Sequence, residues 1–333
     1  MTDSDPTSPV HIRRLQDAVG PAFALLAGMQ LGVFTALADE ALSAEVVAAR
    51  LGLPASRLER LLRALTVAGL LETDGTAFRN TAEARRFLVA GKHGYIGGEH
   101  ELLADLWQAD LTTATSIRED RPAAAHDYQA VSEAAAVTFF RGLADGARGF
   151  GRALAEHRLQ GDERVLDIGG GAGHALAGML DIHPGLQATL FELPQTLAVA
   201  QILLADHPRR DAIHFEAGDI GTSGSVQGHD VVLMKALLQC LAPSEARCAV
   251  AHAFASLDPG GKIFITGVGI LDDGGLSPPA AVFYDLTFMN LYQGGASYTR
   301  STYADWLRMA GFEAIEFGTL PSGSLVITAR RPQ

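Results

Sequence analysis

Cysteine is nearly absent from this chain. Its 333 residues hold two, Cys240 and Cys248, without the spacing of a disulfide framework, and no cysteine–histidine cluster among the 11 scattered histidines has zinc-site spacing. A metal is therefore not expected. Positive charge is also scarce: 26 Lys and Arg face 38 Asp and Glu, for a formal net charge of -12. A nucleic-acid surface needs clustered basic side chains to displace counterions, so this balance argues against one. No uninterrupted apolar run reaches the ~20 residues that span a bilayer, which excludes a membrane-spanning helix. The residues up to Pro9 are mostly polar, so no secretory signal is expected and a cytoplasmic location is. With 48% hydrophobic residues, the chain has enough apolar material for two cores.

Two nucleotide motifs are missing as well. No Gly-Lys-Ser/Thr closes a phosphate loop, and a dinucleotide fingerprint starting at Gly169 wants a glycine or alanine where His174 stands. What is present is Val165-Leu166-Asp167-Ile168-Gly169-Gly170-Gly171-Ala172-Gly173, an apolar strand running into a glycine-dense turn, with helix expected from Ala172 onward. Gly169 and Gly171 allow a sharp turn and close approach of a ligand. Without a pyrophosphate to cradle, the pattern suits a nucleoside with a charged amino-acid tail, S-adenosylmethionine, whose ammonium Asp167 is placed to help hold.

Three more strand ends carry polar groups. Gln187 to Glu192 ends in an acid about 20 residues past the turn, where a carboxylate can take both ribose hydroxyls. Ile213 to Ala217 delivers Gly218-Asp219-Ile220, and Asp230 to Met234 ends at Lys235. In an open parallel sheet the carboxyl ends of the strands line one crevice, so these groups are expected to converge. Taken singly, Asp219 also reads as a turn or capping acid, and Lys235 as a solvated charge.

The N-terminal third reads as a winged helix. Apolar residues at helical spacing run from Ala22 to Leu37, a helix opens at Leu42-Ser43-Ala44-Glu45, and another runs from Leu53-Pro54-Ala55 to about Ala68. Leu70 to Thr81 follows as a hairpin turning at Asp74-Gly75. Alone, with Arg57, Arg60 and Arg63, this outline suits a DNA-binding regulator; the acidic total opposes that. Residues 90 to 160 read as helices broken at Asp120-Arg121-Pro122 and carry Trp107, Tyr128, Phe139 and Phe140.

Over nearly its whole length the chain resembles the plant-type small-molecule O-methyltransferases and their bacterial relatives, a class I S-adenosylmethionine-dependent family. The matching segments are VLDIGGGAG, LFELP, AGDI, LMKALLQCLAPSEA, LDPGGKIFITG and YDLTFMNLYQGGASYTRSTYADWLRMAGF. The resemblance implies an α/β, Rossmann-like, doubly wound and mostly parallel sheet over 151–333. Before it come a winged-helix dimerisation domain over 1–90, making a homodimer, and linking helices over 91–150 that contribute to the acceptor pocket. By position, cofactor contacts fall on Gly169, Glu192, Asp219, Ile220 and Lys235, beside the Asp167 and Gly171 of the turn. Trp107, Phe139 and Leu143 are expected at the acceptor, with Phe288 and Tyr292 facing them.

The departures concern proton chemistry. In the family a histidine within a Leu-His-Asp-Trp run deprotonates the acceptor hydroxyl; here the run is Leu238-Gln239-Cys240-Leu241. A glutamine cannot take and hold a proton near neutral pH, so general-base help of roughly 10²–10⁴-fold is not available there. Two supporting glutamates align with Gly267 and Ser297. Bacteriochlorophyllide C-methyltransferase, which the chain also resembles in lacking the histidine, is a precedent for carbon methylation. Three explanations follow. The preferred one is methyl transfer to a nucleophile that needs no base, an activated ring carbon, an ionised oxygen or an amine, with alignment supplying about 7–11 kcal/mol. The second recruits a base from His100, His126, Tyr292 or Tyr298. The third keeps the cofactor for hydroxylation, decarboxylation or cyclisation. Cys240 is expected to be a small buried hydrophobe rather than a nucleophile, and Cys248 a core residue.

Overall fold

The computed structural model describes residues 8–92, 94–126, 131–221 and 226–333; Tyr128 lies outside them. The chain divides into two compact units, Met1–Ala104 and Asp105–Gln333.

The first unit contains α1 (Val10–Asp17), α2 (Val19–Gln30), α3 (Val33–Ala36), α4 (Ala44–Leu51), α5 (Ala55–Val67), the hairpin β1 (Leu71–Thr73) and β2 (Phe78–Asn80), and α6 (Ala82–Phe87). Local chemistry sets the boundaries. Ser43 caps α4 by accepting from the Val46 N–H, and the Asp74 carboxylate accepts from the Thr76 and Ala77 N–H groups at 2.8 and 2.9 Å to close the hairpin. The single helix expected from Ala22 to Leu37 is instead two. Gly32 takes a φ of 71°, and this left-handed residue turns Val33 and Phe34 inward, where both are fully buried. They pack with Leu37, Val47, Leu58, Leu62 and Leu65; each such side chain contributes about 1.5–3 kcal/mol. Asn80, buried, donates to the carbonyls of Phe34 and Leu37 at 2.8 and 2.9 Å and locks the wing to this core.

Helix α7 (His100–Asp110) crosses between the units. The second unit continues with α8 (Thr113–Glu119), α9 (Glu133–Arg158), β3 (Arg164–Ile168), α10 (His174–Ile182), β4 (Gln187–Glu192), α11 (Pro194–Leu203), β5 (Ile213–Ala217), β6 (His229–Lys235), α12 (Pro243–Ser256), β7 (Leu257–Thr266), β8 (Ile270–Leu271), α13 (Pro279–Leu291), β9 (Tyr298–Thr299), α14 (Arg300–Ala310), β10 (Glu313–Thr319) and β11 (Leu325–Arg330). Because α9 runs through residue 150, the linking helices from Asp105 on belong to the same unit as the sheet.

Seven strands lie in the order β10-β11-β7-β6-β3-β4-β5, with β11 antiparallel to both its neighbours and the others parallel. From β3 the chain proceeds outward to β4 and β5, then returns to place β6 on the other side. The carboxyl ends of β3 and β6 therefore flank the switch point where open α/β sheets take ligands. Side chains alternate between two apolar layers: Val165, Leu190, Val231 and Leu233 pack on one face, and Leu166, Ile168, Phe191, Val232 and Met234 on the other. Helices α9 and α10 cross at backbone contact on the first face. A Cβ on Gly151 would collide with the Ala175 carbonyl, and one on Gly178 with the Arg148 carbonyl. Among the described residues, no helix is long and apolar enough to cross a membrane and no group of three or more His, Cys, Asp or Glu is placed to hold a metal.

Candidate active site

The strand alternation carries Asp167 at the end of β3, Glu192 at the end of β4 and Lys235 at the end of β6 to the same face as Val165, Leu190 and Leu233. Three polar groups separated by up to 68 positions in sequence thus meet at one carboxyl edge. The turn after β3 follows the same edge. Gly169, Gly171 and Gly173 all have positive φ, at 64°, 58° and 73°. Only glycine takes these at no cost, and a Cβ on Gly169 or Gly171 would also sit 2.7 Å from Leu237 or Phe140. Because Gly173 is left-handed, helix α10 begins at His174 and not at Ala172.

Glu192 organises the turn. Its Oε2 accepts from the Gly171 N–H at 3.0 Å and its Oε1 from the Leu193 N–H at 2.8 Å. Burial, reinforced by the charge of Asp219, pushes the carboxyl up to about 7 against those two hydrogen bonds. Asp219 accepts from the Gly221 N–H at 2.8 Å, and Gly218 is tied to the Glu192 carbonyl at 3.0 Å, so the loop after β5 is fastened to the end of β4. Ile220 is buried and its carbonyl lies 2.9 Å from His252 Nδ1.

Asp167 corrects the sequence reading. Its carboxylate has no exposed surface, is closed over by Gly170, and has no hydrogen-bond partner among the described residues. Although it shares the face of Glu192 and Lys235, the Gly170 backbone covers its carboxylate, so its oxygens are sealed and not exposed at the crevice. Burial pushes it up to about 7, with Glu192 adding and Lys235 opposing. Burial also drives Lys235 down, an effect Asp167 opposes. The charges of the two groups oppose each other's shift, although no ion pair within 4.0 Å joins them among the described residues.

After Lys235 the chain is strained. Ala236 has a φ of 57°, unusual without glycine, and it is held by its N–H to the Thr266 carbonyl at 2.7 Å. That bend seats Leu237 over Gly169 and sends Gln239 inward. Gln239 is buried, its Oε1 lies against the space beside Gly267, and its Cβ borders Gly269 together with the Ser297 hydroxyl and Phe288. Positions 239, 267 and 297, read from sequence as the emptied acid–base set, are therefore neighbours. The Ser297 hydroxyl donates to the Ala281 carbonyl at 2.9 Å. Cys240 is hydrogen-bonded to Tyr292 and to the Ala236 carbonyl, and burial pushes its thiol up to about 12, far from a nucleophilic thiolate. Cys248 is only half-buried, beside His252 at 3.9 Å, so it is not a core residue.

Aromatic rings continue from this point. Tyr284, Phe288 and Tyr292 follow one another along α13 and just past it, at centroid separations of 6.0 and 6.4 Å. Tyr292 meets His126 edge-on at 6.1 Å, His126 meets Phe139 at 5.3 Å, and Phe139 meets Phe140 at 5.4 Å, the ring lying against Gly171. Leu143 packs with Phe139 on the edge of the core, and Trp107 is half-buried on α7. Of the four substitute bases considered, Tyr298 is consumed structurally: its hydroxyl donates to the Leu241 carbonyl at 2.6 Å, and burial pushes it up to about 12. His100 belongs to the first unit, with Nδ1 2.7 Å from the Gly97 carbonyl. Asp105, whose Oδ2 lies 2.9 Å from His126 Nε2, went unnoticed in the sequence, where nothing marks it out.

A parallel sheet with a glycine turn and an acid after successive strands is the architecture of a nucleoside-binding transferase. The chain matches the O-methyltransferase domain over residues 115–313 and the O-methyltransferase dimerisation domain over residues 15–90. It belongs to this family and is an S-adenosylmethionine-dependent methyltransferase, with the winged-helix outline as its dimerisation domain. It is 34% identical to a 3-hydroxy-5-methyl-1-naphthoate 3-O-methyltransferase of Streptomyces sahachiroi, over 86% of this chain and 84% of that one. Among solved structures it resembles human N-acetylserotonin methyltransferase in complex with S-adenosylmethionine (TM-score 0.83, 22% identity, all of both chains). It also resembles an O-methyltransferase family protein from Burkholderia thailandensis (TM-score 0.80, 24% identity, 99% of both chains).

Proposed function

We propose that this methyltransferase acts on a small aromatic or conjugated metabolite, and that Gln239 supplies no proton chemistry. The observation that carries this reading is the packing around position 239: the glutamine fills the space beside Gly267, and the Ser297 hydroxyl is committed to a backbone carbonyl. The series Tyr284, Phe288, Tyr292, His126 and Phe139 supports a flat acceptor, since such rings pack face or edge against one another. A hydroxynaphthoate, the class named for the Streptomyces sahachiroi relative, has that shape.

The residues fit S-adenosylmethionine. Glu192 is a carboxylate already oriented by two N–H groups, with lone pairs left to accept from a ribose diol. The positive-φ glycines keep side chains off the turn, and Asp219 and Ile220 follow β5, whose loop is tied to the end of β4. When bound, the cofactor supplies an electrophilic methyl group on a positively charged sulfur. The protein's part is alignment of the acceptor against it and exclusion of water. We also read the chain as a homodimer through its dimerisation domain, where Ile12, Leu15 and Val19 of the first two helices expose apolar side chains.

Transfer of labelled methyl from S-adenosylmethionine to 3-hydroxy-5-methyl-1-naphthoate and to other hydroxylated, aminated and carbon-nucleophile aromatics tests this reading. It expects product with an aromatic acceptor. Turnover of an acceptor with the methyl label kept on the cofactor would instead favour the non-methylating alternative.

A further inference from the structure

We propose that the Gln239 carboxamide is a recognition group for the acceptor, donating a hydrogen bond to the reacting oxygen of a hydroxylated aromatic that enters already ionised. The inference rests on the methyltransferase reading and narrows its acceptor to acidic phenols and naphthols.

Three observations place the carboxamide. First, it is buried and unpaired. Gln239 is 5% exposed, and its carboxamide makes no hydrogen bond to any described residue. Unlike the oxygens of Asp167, it is not closed off. A buried amide without partners is costly, so such a group is kept where a ligand completes it.

Second, the backbone around it is shaped to hold it. The turn Leu238–Cys240 is fixed by the Cys240 N–H donating to the Leu237 carbonyl at 2.9 Å and the Ala296 N–H donating to the Gln239 carbonyl at 3.0 Å. A Cβ on Gly267 would stand 2.3 Å from Gln239 Oε1, although Gly267 has no left-handed conformation that itself calls for glycine. The space left by that glycine is the space the carboxamide fills. With Oε1 laid against Gly267, the amino end, a donor of two N–H bonds, is the one left for a ligand.

Third, the surroundings suit an oxyanion and offer nothing to take its proton. The turn follows β6 and Gly267 follows β7, so the carboxamide stands at the carboxyl edge of the sheet, where Leu237 lies against Gly169 of the glycine turn. Phe288 and the Gln239 Cβ meet over Gly269, which sets an aromatic wall beside the amide. The titratable and hydroxyl groups near it are neutral or committed. Burial pushes the Cys240 thiol up to about 12, Tyr298 donates to the Leu241 carbonyl at 2.6 Å, Asp285 accepts from the Ser297 N–H, and the Ser297 hydroxyl donates to the Ala281 carbonyl at 2.9 Å. A neutral donor in such a place favours the ionised acceptor over its parent hydroxyl, because a hydrogen bond to a charged oxygen is about twice as strong.

The proton is therefore settled before the chemistry. The acceptor loses it to water, and the ionised oxygen meets the Gln239 N–H. One electron pair of that oxygen forms the bond to the methyl carbon while the carbon–sulfur pair leaves with sulfur, and no proton passes to the protein. Charge on the oxygen is largest before transfer, so the hydrogen bond holds the bound acceptor more tightly than the transition state. Its loss should act on KM more than on kcat.

The test uses full-length wild type, Gln239→Met, which keeps the length without polar atoms, and Gly267→Ala, whose methyl group displaces the carboxamide. Each is loaded with S-adenosylhomocysteine and titrated by calorimetry with ionised 4-nitro-1-naphthol and with its methyl ether, which has the same rings and no ionisable hydroxyl. The naphtholate should bind about ten- to a hundredfold more weakly to both variants than to wild type, and the ether equally to all three. Equal naphtholate binding in wild type and Gln239→Met, an equal loss for both probes, or no naphtholate binding to wild type overturns the assignment. In turnover, Gln239→Met should raise acceptor KM at least about tenfold with kcat changed less than about tenfold. Across naphthols of graded acidity, the pH midpoint of wild-type kcat/KM should follow the ionisation of each acceptor; one midpoint shared by all of them would reveal a base on the protein and overturn the proposal. Calorimetry with S-adenosylmethionine separates this proposal from the one it rests on. Both variants should keep wild-type affinity; its loss in Gln239→Met would make the residue merely structural, whereas a wild type that binds none removes the underlying reading.

Discussion

Asp167 and Lys235 end adjacent parallel strands and point to the same face of the sheet, and the charge of each opposes the shift that burial imposes on the other. Removing one member leaves the other's desolvation less compensated. Lys235→Met should destabilise the cofactor-free protein, and Asp167→Asn on top of it should restore part of the loss. Urea unfolding of both single variants and the double variant gives the coupling energy, and strictly additive losses contradict the pairing.

Glu192 should make stability and cofactor binding respond to pH in opposite directions. Its folded value, about 7, lies above the ordinary 4.5, so the folded state holds the proton more tightly than the unfolded chain. The stabilisation from that proton is fully present below about 4.5 and is lost as pH rises through about 7. Relative to Glu192→Gln, wild type should lose about 1.4 kcal/mol per pH unit across this window. Affinity for S-adenosylmethionine should instead rise over the same range, since a hydroxyl-accepting carboxylate must be ionised. Denaturation and binding isotherms at pH 5, 6, 7 and 8 check both slopes.

Close approach of α9 and α10 depends on two glycines facing backbone. Gly151→Ala sets a Cβ against the Ala175 carbonyl, where no side chain can swing aside. Overpacking of this kind costs typically 1–3 kcal/mol. The expected outcome is a lower urea midpoint with an unchanged slope. Gly149, two residues away on α9 with open space at its Cβ, is the control, and Gly149→Ala should leave stability equal or higher.

Gln239→Ala tests whether position 239 takes part in proton transfer. Loss of an aligned side chain should lower kcat less than about tenfold, because no base of the roughly 10²–10⁴-fold kind is removed. A thousandfold fall in kcat at unchanged acceptor KM contradicts the account.

The strand ends were legible in the sequence because the rule that carboxyl ends line one crevice needs only strand order, and Glu192, Asp219 and Lys235 each follow a recognisable apolar run. The burial of Asp167 was not read: it follows from the Gly170 backbone closing over its carboxylate, which no sequence periodicity reports. Ala236 gave no sign of its left-handed conformation, since such positions are flagged in sequence by glycine or asparagine. The partnership of Asp105 with His126 was hidden for a different reason. It joins a helix to a loop strapped onto α13, and that path is fixed by tertiary hydrogen bonds from Ala124 and His126 with no local periodicity to report them. Likewise Gly32 was visible as a residue, but its role in splitting one helix into α2 and α3 depends on the core that Val33 and Phe34 enter.

The central claim is that the glycine turn after β3, Glu192 at the end of β4 and the loop after β5 form one site for S-adenosylmethionine. Isothermal titration of the wild-type protein and Glu192→Ala with S-adenosylmethionine tests it most directly. One site per chain, weakened at least about tenfold by the substitution, is the predicted result. No heat of binding to the wild type, or equal affinity in the two proteins, contradicts it.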